Sequence, residues 1–165
     1  MAVRKMLQSR GRRMSEEIDS RRLFFPGLAG LYRSLSPYAY AFMRFATGAV
    51  LAPHGIQKLL YNSVDKFAPN IAGKGLPFAE ALAYVTFFTE SVAAICLAVG
   101  LFTRAAAAMI WIEMAVIITV FLRPNGYFWT GRGYEFALLW LLLCTAIFFR
   151  GGGRYSVDHL IGKEI

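Results

Sequence analysis

Seven ionisable residues fall within or at the edges of long apolar stretches of this chain: Arg44, His54 and Lys58, then Glu80 and Glu90, then Glu113, then Glu135. Each such group costs at least about 2.5–3.5 kcal/mol at the centre of a bilayer, so it persists only where it is paired, wetted or used. Cations on one stretch and carboxyls on the next three can form ion pairs, exchange protons or line a polar pocket for a ligand. At about 1.5 Å per helical residue, Arg44 lies roughly 10 Å into its stretch, and Glu90 and Glu113 lie about 15 Å from the same side. These three form a candidate inner charge cluster. His54, Lys58, Glu80 and Glu135 share a level near the opposite face and form a candidate outer polar pocket.

Helical phase gathers the first-stretch groups onto one stripe. His54 and Lys58 are four residues apart and so neighbours on one face. Arg44 points within roughly 40° of Lys58 at about 100° per residue. Two carboxylates side by side in low dielectric do not both ionise easily, so one of Glu90 and Glu113 is expected to pair with Arg44. The same residues read equally well as locks that hold helices in register without any chemistry.

Other chemistries find no residues to carry them. The two histidines, His54 and His159, lie at opposite ends of the expected bundle, so a bis-histidine haem is not expected. No Cys/His set has metal-ligand spacing, and no metal is expected. Cys96 and Cys144 are isolated and read as small buried hydrophobes, with a redox pair possible only where their helices touch. Neither a phosphate-cradling loop nor a serine nucleophile with partners is present.

The elements that must position these groups follow from composition. The 165 residues are 57% hydrophobic, 15% aromatic and only 17% charged, against about 25% charged in soluble chains. That excludes intrinsic disorder, and two cysteines exclude a disulfide-built scaffold. Four apolar stretches, about 37–60, 77–100, 103–123 and 131–149, are bounded by Pro37, Pro77, Gly100, Pro124 to Gly126, and Gly151 to Gly153. A lipid-exposed backbone must satisfy its own hydrogen bonds, so these are helices. The expectation is an all-α membrane protein, a four-transmembrane-helix bundle spanning 35–165 with a short tail, preceded by a basic N-terminal arm at 1–34. The arm carries Leu23, Phe24 and Phe25 before Pro26, too short for a signal-peptide core and suited to an interfacial segment.

The net charge of +8 is topological rather than a sign of nucleic-acid binding. Twelve Lys and Arg flank the spans on the side of the arm, including Arg104, Arg150, Arg154 and Lys163, against Lys66, Lys74, Arg123 and Arg132 on the other side. The positive-inside rule then places both termini in the cytoplasm.

The run from Arg44 to His54-Gly55-Ile56-Gln57-Lys58 resembles the first-helix signature of DoxX-family membrane proteins. Glu90 within TESVAAICLAVGLFTR, closed by Gly100, Thr103 and Arg104, matches the next part. The PNGYFW segment followed by Gly131, Gly133, Tyr134 and Glu135 matches the opening of the last helix. The resemblance covers about Pro37 to Leu160; the arm and Glu113 are outside the pattern. It implies a redox-associated protein of the bacterial inner membrane, with a quinone as its candidate ligand and a membrane or soluble redox protein as its partner. A quinone pocket would use His54, Lys58, Glu80 and Glu135, with Trp129 and Tyr134 beside the ring. The alternatives are an accessory subunit of a larger membrane complex with no catalysis of its own, and a small transporter coupling protons through Glu90 or Glu113.

Overall fold

A computed structural model of the chain describes residues 19–164, apart from the side chains of residues 62–64; Arg4, Lys5, Arg10, Arg12 and Arg13 of the expected arm lie outside them. The described residues are helical, with no strand. The chain divides between Tyr40 and Ala41 into two units. In the first, the turns Ser20–Arg22 and Pro26–Leu28 precede a long helix, α1 (Ala29–Gln57). Asp19 accepts a hydrogen bond from the Arg21 N–H at 3.0 Å, and Phe24 and Phe25 are exposed.

From Ala41 onward the order is the rest of α1, α2 (Ser63–Ala72), α3 (Ala79–Val99), α4 (Thr103–Asn125), α5 (Glu135–Arg150) and the single turn α6 (Val157–Ile161). The connection after α1 is helical, and α2 continues through Pro69. Helices α3 and α4 are long and apolar enough to cross a membrane. Their apolar side chains point outward in large numbers, including Val85, Ile95, Ile112 and Val116.

The interior is built from small residues and a few branched ones. Ala94, Leu97, Ala107, Ile110, Cys144 and Ile147 are fully buried, and α4 packs most extensively along α5. Small side chains let membrane helices approach closely. A Cβ on Gly48 would collide with the backbone of Ala94 and Ala98, and one on Gly55 with the backbone of Glu90 and Ser91. These two glycines set α1 directly against α3. The Trp140 indole donates to the Thr47 carbonyl at 3.1 Å and the Trp111 indole to Thr145 Oγ1 at 3.0 Å, tying α5 to α1 and α4 to α5.

The α3–α4 reversal is closed by charges from elsewhere in the chain. Gly100, at φ +76°, ends α3 with its N–H bonded to the Cys96 and Leu97 carbonyls, and Leu101 N–H also reaches Cys96 O. Arg44 donates to the same Leu97 O at 2.6 Å, to Ala98 O at 2.8 Å and to Tyr155 O at 2.7 Å. Asp158 accepts from Phe102 N at 2.7 Å, Thr103 N at 2.9 Å and Thr103 Oγ1 at 2.6 Å. A cation thus meets the negative end of α3 and a carboxylate the positive end of α4. Replacing Asp158 by Ala leaves buried N–H groups without acceptors. It should lower stability by about 3 kcal/mol, measured by thermal unfolding in detergent, with Asp158→Asn recovering part of the loss.

Candidate functional site

A carboxylate buried in an apolar bundle needs a counter-charge at hand, and Glu90 has one. Lys58 Nζ forms an ion pair with Glu90 Oε2, the two side chains being 21% and 7% exposed. The same ammonium lies 4.7 Å from the Phe67 ring centroid on α2, an added cation–π attraction. Gly55 explains how the pair forms: it brings α1 onto the Glu90 backbone, one turn before Lys58.

The helices around this pair are locally wound as π-turns. Lys58–Asn62 follows α1, Thr89–Ala93 interrupts α3 and Ile117–Leu122 interrupts α4. Insertions of this kind re-aim side chains and occur often at functional sites. All three contribute to the wall of one cavity of about 430 Å³, through Lys58, through Thr89 and Glu90, and through Ile117 and Phe121. Phe67, Ile71 and Leu76 close it from α2 and the turn beyond, and Thr86, Met109 and Glu113 complete it from α3 and α4.

Glu113 is the third charge-bearing group there. Both its carboxyl oxygens are buried and meet no donor in hydrogen-bonding geometry, although the Thr86 hydroxyl lies alongside, and it feels the charges of Glu90 and Lys58. One ammonium therefore faces two carboxyls across an otherwise apolar space of ligand size.

The arrangement differs from the expected inner and outer sets. Arg44 does not pair with Glu90 or Glu113; its guanidinium is taken by the α3 carbonyls and Tyr155. The reason is that a helix end leaves carbonyls without partners, and those of α3 fall beside Arg44. Lys58, placed in the outer set, turns instead to Glu90. His54, one turn before Lys58, is exposed. Glu80 is exposed as well. Glu135 accepts from the Trp129 N–H at 3.2 Å and so belongs to the aromatic loop before α5. In that loop Tyr127 meets Phe128 and Tyr134 edge-on, and Trp129 leans on Phe136. Neither Trp129 nor Tyr134 lines the cavity. Cys96 is half-buried, Cys144 is buried, and both are free thiols.

A family model described as DoxX matches residues 39–123. The chain belongs to the DoxX family. The match contains Arg44, Lys58, Glu90 and Glu113 and stops before Pro124, short of the Leu160 to which the motif resemblance extends. The chain is 31% identical over 131 residues to an uncharacterized protein of Haemophilus influenzae, covering 78% of this chain and 94% of that one. It is 29% identical over 150 residues to an uncharacterized membrane protein of Mycobacterium tuberculosis, covering 84% and 91%. No solved structure matches it. It is a DoxX-family membrane protein with a helical fold.

The residues that sequence reasoning missed are Phe67, Thr86 and Phe121 at the cavity and Asp158 at the α3–α4 reversal. Thr86 precedes Glu90 by one helical turn, so the helical spacing that joined His54 to Lys58 would have found it. Phe67 carried no comparable mark. Breaking the ion pair tests its role in this DoxX-family fold. Lys58→Met strands a buried carboxylate and should cost about 3 kcal/mol, while Lys58→Met with Glu90→Leu should recover most of it. Thermal unfolding of the three proteins in the same detergent gives the comparison.

Proposed function

We propose that this DoxX-family protein is a redox-associated protein of the bacterial inner membrane, and that the cavity bounded by Lys58, Glu90 and Glu113 receives a quinone-type ring. Four helices, α1, α3, α4 and α5, cross the bilayer, with both termini cytoplasmic and the cavity in the outer half. The Lys and Arg distribution supports that orientation, since Arg104, Arg150, Arg154 and Lys163 gather at one end.

The observation that carries the ligand assignment is the convergence of one ammonium and two carboxyls on an apolar cavity of about 430 Å³. A planar ring with two carbonyl oxygens suits it: apolar faces meet Phe67, Ile117 and Phe121, and the polar edge meets Lys58 and Glu113. A bound quinone accepts two electrons and two protons, and the electrons come from a redox partner protein. The chain's own part is to bind and orient the ring and keep bulk water away. Lys58 Nζ donates a hydrogen bond towards a ring oxygen while holding Glu90. The Glu113 carboxyl is the position at which a proton is exchanged with the ligand.

Glu113→Gln keeps the shape and removes the exchangeable proton. In complexes isolated from native membranes it should reduce quinone-dependent turnover by about a hundredfold, with ring binding changed by no more than about threefold. Unchanged turnover would favour the accessory-subunit reading. The orientation has its own check: green fluorescent protein fused after the C-terminus should fluoresce, and alkaline phosphatase fused there should be inactive.

A further inference from the structure

The walls of the cavity are unequal. Ile71, Thr89 and Glu90 are buried on its inner side, whereas Val85 and Ile112 face it and are still 54% and 60% exposed. Helix packing accounts for the difference. The first half of α3 (Ala79–Phe88) packs against α2, whereas α4 packs against α5 and, along α3, chiefly from Thr89 onward. Above Glu90 the two helices therefore part, and Leu82, Val85, Ile112 and Val116 line both edges of the gap. α2 and the turn after it shut the cavity from the loop side with Phe67, Ile71 and Leu76. The remaining opening is lined by aliphatic side chains.

We infer that the ligand reaches the cavity sideways from the bilayer, between the first half of α3 and the second half of α4, and carries a hydrocarbon tail that stays in this gap. The inference rests on the cavity being the ring-binding site proposed above and adds the class of molecule: a tailed amphiphile drawn from the membrane, rather than a water-soluble compound arriving from the loop side. The chemistry of the two parts divides cleanly. A polar head meets Lys58 and Glu113 at the closed end, where its oxygens find partners. A tail leaving between Val85 and Ile112 keeps those side chains in contact with hydrocarbon throughout, so no apolar surface is wetted on the way in. Only a groove of aliphatic character could hold such a chain without leaving unsatisfied polar groups, and the gap offers none.

The test uses the full chain in lipid nanodiscs and two radiolabelled probes, a dimethoxy-methyl benzoquinone without a tail and the same ring with a decyl tail. Ile112→Trp and Val85→Trp fill the gap from opposite edges at positions that tolerate bulk because they face lipid. Leu142→Trp, on an exposed face of α5 away from the cavity, is the control. Each gap variant should weaken binding of the decyl probe by about tenfold or more, through lost burial of a few methylenes, and leave the bare ring within about twofold of its original affinity. Decyl binding that is indifferent to both gap variants, with the bare ring still binding, would overturn the lateral route and leave the site standing. Failure of both probes to bind the unaltered protein would overturn the site, and the route with it.

Discussion

Charge inside an apolar bundle must be answered locally, and the Lys58–Glu90 pair is where that demand shapes the fold most. A carboxylate 7% exposed in the middle of α3 is tolerable only if a cation reaches it. To deliver one, α1 must run against α3 closely enough that a Cβ at residue 48 or 55 would strike backbone, which is why both positions are glycine. The chain then rewinds as a π-turn at Lys58, and α3 does the same at Thr89–Ala93. Both rewound turns begin at or beside a charged residue of the pair. Further, α2 lies where Phe67 can cover the ammonium. Close approach, rewinding and cover are three consequences of one pair.

The same rule works through dipoles at the α3–α4 reversal. There the unanswered groups are backbone: carbonyls at the end of α3 and N–H groups at the start of α4. Arg44 and Asp158 answer them, and both come from distant parts of the sequence. Gly100 is held to glycine twice over, by φ +76° and by the Arg44 guanidinium and Ser156 pressed against the place a Cβ would take. The segment after α5 is fastened by this, because Asp158 N–H also donates to Gly100 O at 2.9 Å. An arginine in the first helix and an aspartate in the tail thus clamp a turn to which neither belongs.

How much of this was legible in the sequence depended on the range of the interaction. The helices follow from apolar length and from breakers, which are local signals: Gly100 ends α3 and Pro124 falls in the last turn of α4, as their chemistry requires. The importance of Arg44, Lys58, Glu90 and Glu113 was legible from the cost of their burial. Their pairing was not. Depth along straight helices put Arg44 level with Glu90, but depth takes no account of backbone carbonyls as partners, nor of π-turns that shift phase part-way along a helix. Asp158 was invisible for a further reason: an acidic residue in a short tail carries no local mark of the helix end it caps 55 residues away.

Glu113 then stands out by contrast with its neighbours. Lys58, Glu90, Arg44 and Asp158 each have a partner of opposite charge or dipole, whereas the Glu113 oxygens are buried beside a threonine and share their one nearby cation with Glu90. A lock would be complete with Lys58 and Glu90 alone, and a second carboxyl beside it adds cost without adding register. In the function proposed for the cavity, a proton or a polar group on a ligand offsets that cost. The cavity places the necessary space on the same side of the pair. Glu113 and the gap above it thus carry the function proposed for the cavity, whereas the ion pair is sufficiently explained by the packing of α1 on α3.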